Sequence, residues 1–101
     1  MIHEEFGLKE DHIECIRSVL DKHPRVEQAI LFGSRAGNRH QPGSDIDLAL
    51  VGEQLTLDDL LIIRHDLESL WLPVKCDVLD LKTVRDQDLA ERIRKEGKRI
   101  Y

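Results

Sequence analysis

The chain has 101 residues, of which 41% are hydrophobic and 35% charged, and it carries a net charge of −5 at pH 7. That length bounds one small domain with a single core, and the composition excludes a disordered chain. The negative charge excludes general electrostatic binding of nucleic acid as an expected role. No apolar run is long enough to span a bilayer and the acidic N-terminus has no signal-peptide pattern, so a cytoplasmic protein is expected. Cys15 and Cys76 read as reduced core thiols, and the five histidines lack metal-ligand spacing, so no zinc site is expected.

In chain order, Met1 to Gly7 reads as a loose arm and Leu8 to His23 as an amphipathic helix. Ile13, Ile16 and Leu20 recur at helical spacing, and Pro24 ends the run. Val26 to Phe32 is the first expected strand. Gly33-Ser34 breaks it, a short helix is expected from about Arg35, and Arg39-His40-Gln41-Pro42-Gly43 forms a polar loop. Ser44 to Val51 has strand composition and opens with Asp45 and Asp47. Thr56 starts a helix running to about Trp71, with Asp59 three residues on as a capping-box partner. Its apolar face is read as Leu57, Leu60, Leu61, Leu67 and Leu70. Pro73 to Asp80 is the third strand, and Thr83 to Lys95 the last helix, with Gly97 as its stop signal. Ile100-Tyr101 is either a last short strand or a free end.

The chemistry concentrates between Ile30 and Gly52. Strand side chains alternate faces, so Asp45 and Asp47 share one face while Ile46, Leu48 and Leu50 share the other. Two such positions lie roughly 6–7 Å apart at the backbone, which lets two carboxylates converge on a hard cation such as Mg²⁺. Alone, Asp-x-Asp is more often an exposed edge. At the start of an apolar strand, two uncompensated like charges are costly, and a cation removes that cost. Gly33 lets backbone amides approach a ligand, and the Ser34 hydroxyl can cap a helix or bond a phosphate oxygen. Because Gly33-Ser34 ends one strand and Asp45 begins the next, a shared site requires those strands to run antiparallel. On the third strand Asp77 shares a face with Lys75 and Leu79, opposite Val74, Cys76 and Val78. It is a mid-strand acid flanked by core residues, a poor place for a carboxylate without a role. The alternative for Asp77 is a salt bridge to an arginine of the last helix. Asp80 is read as a turn or cap residue.

Gly33-Ser34, ten intervening residues, then Asp45-x-Asp47 between apolar strands resembles the signature of the nucleotidyltransferase superfamily related to DNA polymerase beta. FGSRA followed by SDIDLAL resembles its minimal nucleotidyltransferase (MNT) group, over nearly the whole chain. The resemblance implies an α/β fold: a small mixed sheet of three core strands flanked by about four helices, forming one domain over residues 1–101. It implies that Gly33 and Ser34 hold the nucleoside triphosphate together with Arg35 and Arg39. Asp45, Asp47 and Asp77 then bind one or two Mg²⁺ ions (or Mn²⁺), and Asp77 helps bind metal or accepts the proton of an attacking hydroxyl. Where the family commonly continues Gly-Ser-Arg-Ala-Arg-Gly, this chain has Gly37 at the second arginine. Arg39 substitutes from a shifted position, or phosphate contact is weaker.

The implied activity is transfer of AMP from ATP to a tyrosine hydroxyl of a partner HEPN-type helical toxin, an AMPylation that makes this protein the antitoxin. Two alternatives stand beside it: a binding antitoxin without chemistry, and a transferase acting on a small-molecule hydroxyl such as an aminoglycoside's. A net charge of −5 on such a fold favours a protein or small-molecule acceptor over nucleic acid. Homo- or hetero-oligomerisation is left open.

Overall fold

The computed structural model describes residues 10–33, 45–70, 72 and 74–101. Its elements in chain order are α1 (Glu10–Asp21), β1 (Gln28–Phe32), β2 (Ile46–Val51), α2 (Leu57–Glu68), β3 (Cys76–Asp80), a 3-10 turn (Leu81–Thr83), α3 (Gln87–Glu96) and β4 (Lys98–Arg99). Four strands form one mixed sheet in the order β3-β2-β1-β4. β1 pairs antiparallel with β2 and with β4, while β2 pairs parallel with β3. The expected three-stranded sheet thus gains a fourth strand at the C-terminal end. Residues 98–99 pair with β1, and the ladder extends through Ala29 to Ile100 and Tyr101. Among the described residues there are three α-helices. The short helix expected from about Arg35 falls outside them.

The two sheet faces have different covers. Ala29, Leu31, Leu48, Leu50, Cys76 and Val78 lie on the face packed by α1 and α2, with Ile13, Ile16, Val19 and Leu20 from α1 and Ile63 and Leu67 from α2. Ala49 is buried on the other face, beneath Leu81 of the turn and Ala90 and Ile93 of α3, with Ile30, Phe32, Val51 and Leu79 partly buried around it. The alternation of β2 therefore serves two layers, which is why every residue from Leu48 to Leu50 is buried.

The helix ends follow from their local chemistry. Thr56 caps α2 by accepting from the Asp59 amide at 3.2 Å, and Asp59 returns the bond to the Thr56 amide at 3.0 Å. This is the expected capping box. These bonds, with help from Arg25, hold the Asp59 carboxyl below its usual range. Asp86 caps α3 through the Asp88 and Leu89 amides, so that helix begins later than Thr83. α3 ends at Gly97, whose backbone turns extended, and close packing requires glycine there: a Cβ would lie 2.3 Å from Cγ2 of Ile30.

The apolar face of α2 differs from the expected one. Ile63 and Leu67 are buried, whereas Leu57 and Leu61 are 70% and 52% exposed. Apolar residues occur around most of this helix, so spacing alone does not select a face. Packing selects the 3–4 stripe of Leu60, Ile63, Leu67 and Leu70.

The cysteines also divide. Both are free, but Cys15 is exposed on α1 and only Cys76 is in the core. Burial, followed by the nearby Asp77 and Asp47 charges, pushes the Cys76 thiol up to about 12. A thiol-disulfide reagent at pH 8 should therefore titrate Cys15 in the native protein and reach Cys76 only after denaturation. Two fast thiols in the native state would contradict this packing.

Candidate active site

Strand pairing brings the acids together. In the parallel register of β2 and β3, Asp47 lies beside Asp77, one step from the Ala49–Leu79 pair on the same face. In the antiparallel register of β1 and β2, Asp47 lies beside Phe32, directly before Gly33. Two residues back from Ala49 and Leu79 along both strands, the apolar cover of α3 gives way. Asp47 is half-buried, the Asp77 side chain is 51% exposed and Asp45 is exposed. The expected antiparallel pairing of the first two strands is what the sheet shows, with Gly33 and Asp47 at one end of the pair.

The acids interact electrostatically. The Asp47 carboxyl is raised above its ordinary value, first by burial, then by the negative charges of Asp77 and Asp45. Gly33 adds a steric feature. Its φ is +81°, in the left-handed region that favours glycine. A Cβ at this position would stand 2.9 Å from Oδ2 of Asp47. The missing side chain leaves a cradle against the central carboxylate, where a ligand oxygen can approach both Asp47 and the strand-end backbone. Ser34, Arg35 and Arg39 lie outside the described residues.

Two expectations about the third strand need correction. Asp77 is not packed into the core; the buried acid of β3 is Asp80, 3% exposed. Asp80 sits on the core face opposite Leu50, accepts from the Lys82 amide at 3.2 Å and pairs with Lys82 Nζ at 2.6 Å. It caps the 3-10 turn, in keeping with the cap role read for it. The cost-of-burial argument therefore applies to Asp80. Asp77 is instead distinguished by its place beside Asp47. It does have an arginine partner, but from α2 and not the last helix: Arg64 Nη2 stands 3.6 Å from its Oδ1. The sequence gives no local sign of this pairing, since Arg64 and Asp77 lie on opposite sides of the β3 edge.

Among the described residues, no group of three or more His, Cys, Asp or Glu side chains is arranged to hold a metal ion. The chemistry of the acids nevertheless fits a divalent cation. Asp47, raised first by burial and then by the charges of Asp77 and Asp45, is relieved by positive charge among the three carboxylates. An open site suits a cation that also takes phosphate and water ligands.

A family model described as "Polymerase beta, Nucleotidyltransferase" matches residues 14–101. The chain belongs to this family. As a polymerase-beta-type domain, it is a nucleotidyltransferase. No curated protein sequence matches it. Among solved structures, a chain of a toxin–antitoxin complex with AMP-PNP is 25% identical with a TM-score of 0.73, over 88% of this chain and 72% of that one. A chain of an MntA–HepT toxin–antitoxin structure is 23% identical with a TM-score of 0.69, over 92% of this chain and 72% of that one. A chain from the complex of tri-AMPylated Shewanella oneidensis HEPN toxin with MNT antitoxin is 22% identical with a TM-score of 0.68, over 91% and 71% of the two chains. The nucleotidyltransferase fold here is thus of the MNT type. Among the described residues, no helix is long and apolar enough to cross a membrane.

Proposed function

We propose that this protein is a minimal nucleotidyltransferase, one domain over residues 1–101, that transfers AMP from ATP to a tyrosine hydroxyl of a HEPN-type toxin and thereby acts as its antitoxin. The observation that carries the reading is the β2–β3 register. It sets Asp77 beside Asp47 on a sheet face that α3 leaves open, next to the cradle at Gly33. Support for the donor comes from the similar chain in a complex with AMP-PNP. Support for the acceptor comes from the MNT antitoxin found with an AMPylated HEPN toxin. ATP as donor and a HEPN-type toxin as target suit a reaction in the cytoplasm.

In this mechanism Asp45, Asp47 and Asp77 would hold one or two Mg²⁺ ions, which would supply positive charge to neutralise the phosphates and polarise the α-phosphate. The backbone at Gly33, with Ser34, Arg35 and Arg39, orients the β and γ phosphates. The acceptor oxygen attacks the α-phosphorus, forming a new P–O bond. The bond from the α-phosphorus to the α–β bridging oxygen breaks, and pyrophosphate leaves with the electron pair. Asp77, half-exposed and next to Asp47, takes the proton of the attacking hydroxyl. A net charge of −5 suits a protein acceptor better than nucleic acid.

The test is intact mass of a co-expressed helical partner after incubation with this protein, Mg²⁺ and ATP, beside an Asp45→Asn/Asp47→Asn control. The expected result is a gain of one or more AMP units with the native aspartates alone. A stable complex with no mass gain, and a toxin still silenced by the double variant, would replace transfer with neutralisation by binding.

A further inference from the structure

Arg64 belongs to α2, on the side of the sheet away from the aspartates. Its neighbours Ile63 and Leu67 are buried against the opposite sheet face. β3 is an outer strand of the sheet, and Arg64 passes along its free edge. Its Nη2 donates to the Val78 carbonyl at 3.1 Å and stands 3.6 Å from Oδ1 of Asp77. The side chain is 42% exposed as a whole, yet its Nε is buried with no hydrogen-bond partner among the described residues. Leaving a buried donor unpaired is costly, so this pose is held by what the far end of the guanidinium touches. Covering the strand edge would require only the bond to Val78. The pose also carries the cation across the edge to the acid on the other face. Among the described residues, Arg64 is the one cationic side chain in an ion pair with any of the three aspartates.

We propose that Arg64 is a positioning residue for Asp77: anchored on the Val78 carbonyl, it holds the Asp77 carboxylate toward the β3 edge and acts as a built-in counter-cation that competes with divalent metal for that acid. This rests on reading the aspartates as the metal and transfer site. Two consequences with opposite signs follow. Removing the positive charge strengthens metal binding, because one attractive partner of the acids is gone. It also weakens turnover, because Asp77 is no longer held where it can accept a proton. A residue that only packs α2 on the sheet would not separate these effects. A direct phosphate ligand would instead raise the KM for ATP.

Arg64→Met keeps the aliphatic stem and removes the charge, whereas Arg64→Lys keeps the charge and loses the fork. Binding of Mn²⁺ alone to the full chain, measured by calorimetry without nucleotide, should tighten by about threefold or more in the Met variant and stay near native in the Lys variant. Turnover in AMP transfer should fall about tenfold in the Met variant, with the KM for ATP within about twofold of native, and the Lys variant should recover part of the loss. Unchanged Mn²⁺ affinity in the Met variant would overturn the counter-cation role. A raised KM with native turnover would make Arg64 a substrate ligand and overturn the positioning role. If the native chain binds Mn²⁺ but transfers nothing, the transfer reading fails and the Mn²⁺ comparison still decides whether Arg64 competes for Asp77. If the native chain binds no Mn²⁺, both fall.

Discussion

Asp47→Asn should lose AMP transfer by on the order of 10²–10³-fold, the scale of removing one preorganised electrostatic group from an active site, while its thermal stability at neutral pH stays equal or rises. The second half of this outcome separates a functional acid from a structural one. Asp47 is pushed above its ordinary value by burial, and then by Asp77 and Asp45. A carboxyl whose folded value exceeds its unfolded value of 3.8 favours the fold in its protonated form. That contribution is fully present below 3.8 and is lost as pH rises through the folded value. At pH 7 the native protein therefore carries an electrostatic liability that asparagine lacks. In metal-free buffer, urea denaturation should show Asp47→Asn at least as stable as native at pH 7, with less gain on acidification between pH 7 and 4. A clear loss of stability at pH 7 would mean that Asp47 holds the fold together, and the metal-site reading would fail with it. Asp80 provides the contrast: it is buried, bonded to Lys82, and belongs to the structure.

The part of the site on consecutive residues was legible before the fold was known. Alternation alone puts Asp47 on the face of β2 opposite Leu48, with Asp45 just ahead of the strand, and the need for Gly33 and Asp45 to meet gives the antiparallel β1–β2 pair. The capping box at Thr56 was legible for the same reason, since its two partners are three residues apart. What pattern could not supply was the identity of each cover. Alternation says that Asp77 and Asp80 face opposite ways. It does not say that α3 stops short of Asp77 while the core closes over Asp80. That Ile63 joins the expected Leu60 and Leu67 on the inner face while Leu57 and Leu61 stay exposed has the same origin, because a helix apolar on most sides takes its inner face from its neighbours. Arg64 was silent in the sequence because its partners Asp77 and Val78 lie 13 and 14 residues on, across a strand edge whose exposure depends on the strand order.

Gly33→Ala is expected to act through two separable effects. The backbone at φ +81° costs an L-residue about 1–2 kcal/mol, which denaturation should read as lost stability. The new methyl would also fall 2.9 Å from Asp47 Oδ2, closer than two such atoms can stand. That oxygen is the end of a side chain, so the carboxylate turns aside before the sheet deforms. Turning costs little stability but misaims the central acid, and a displacement of about 1 Å at a reacting centre costs on the order of 10²-fold in rate. A double-mutant cycle with Asp47→Ala divides the two effects. With the carboxylate gone, Gly33→Ala should keep its backbone cost and add no further activity loss, because the aim it spoils no longer exists. In native background the methyl should also weaken Mn²⁺ binding, which reads the carboxylate directly. If Gly33→Ala leaves both Mn²⁺ affinity and transfer at native levels, the cradle is a turn and nothing more. In that case Gly33 is required by its left-handed backbone alone, and the phosphates must approach the aspartates from elsewhere.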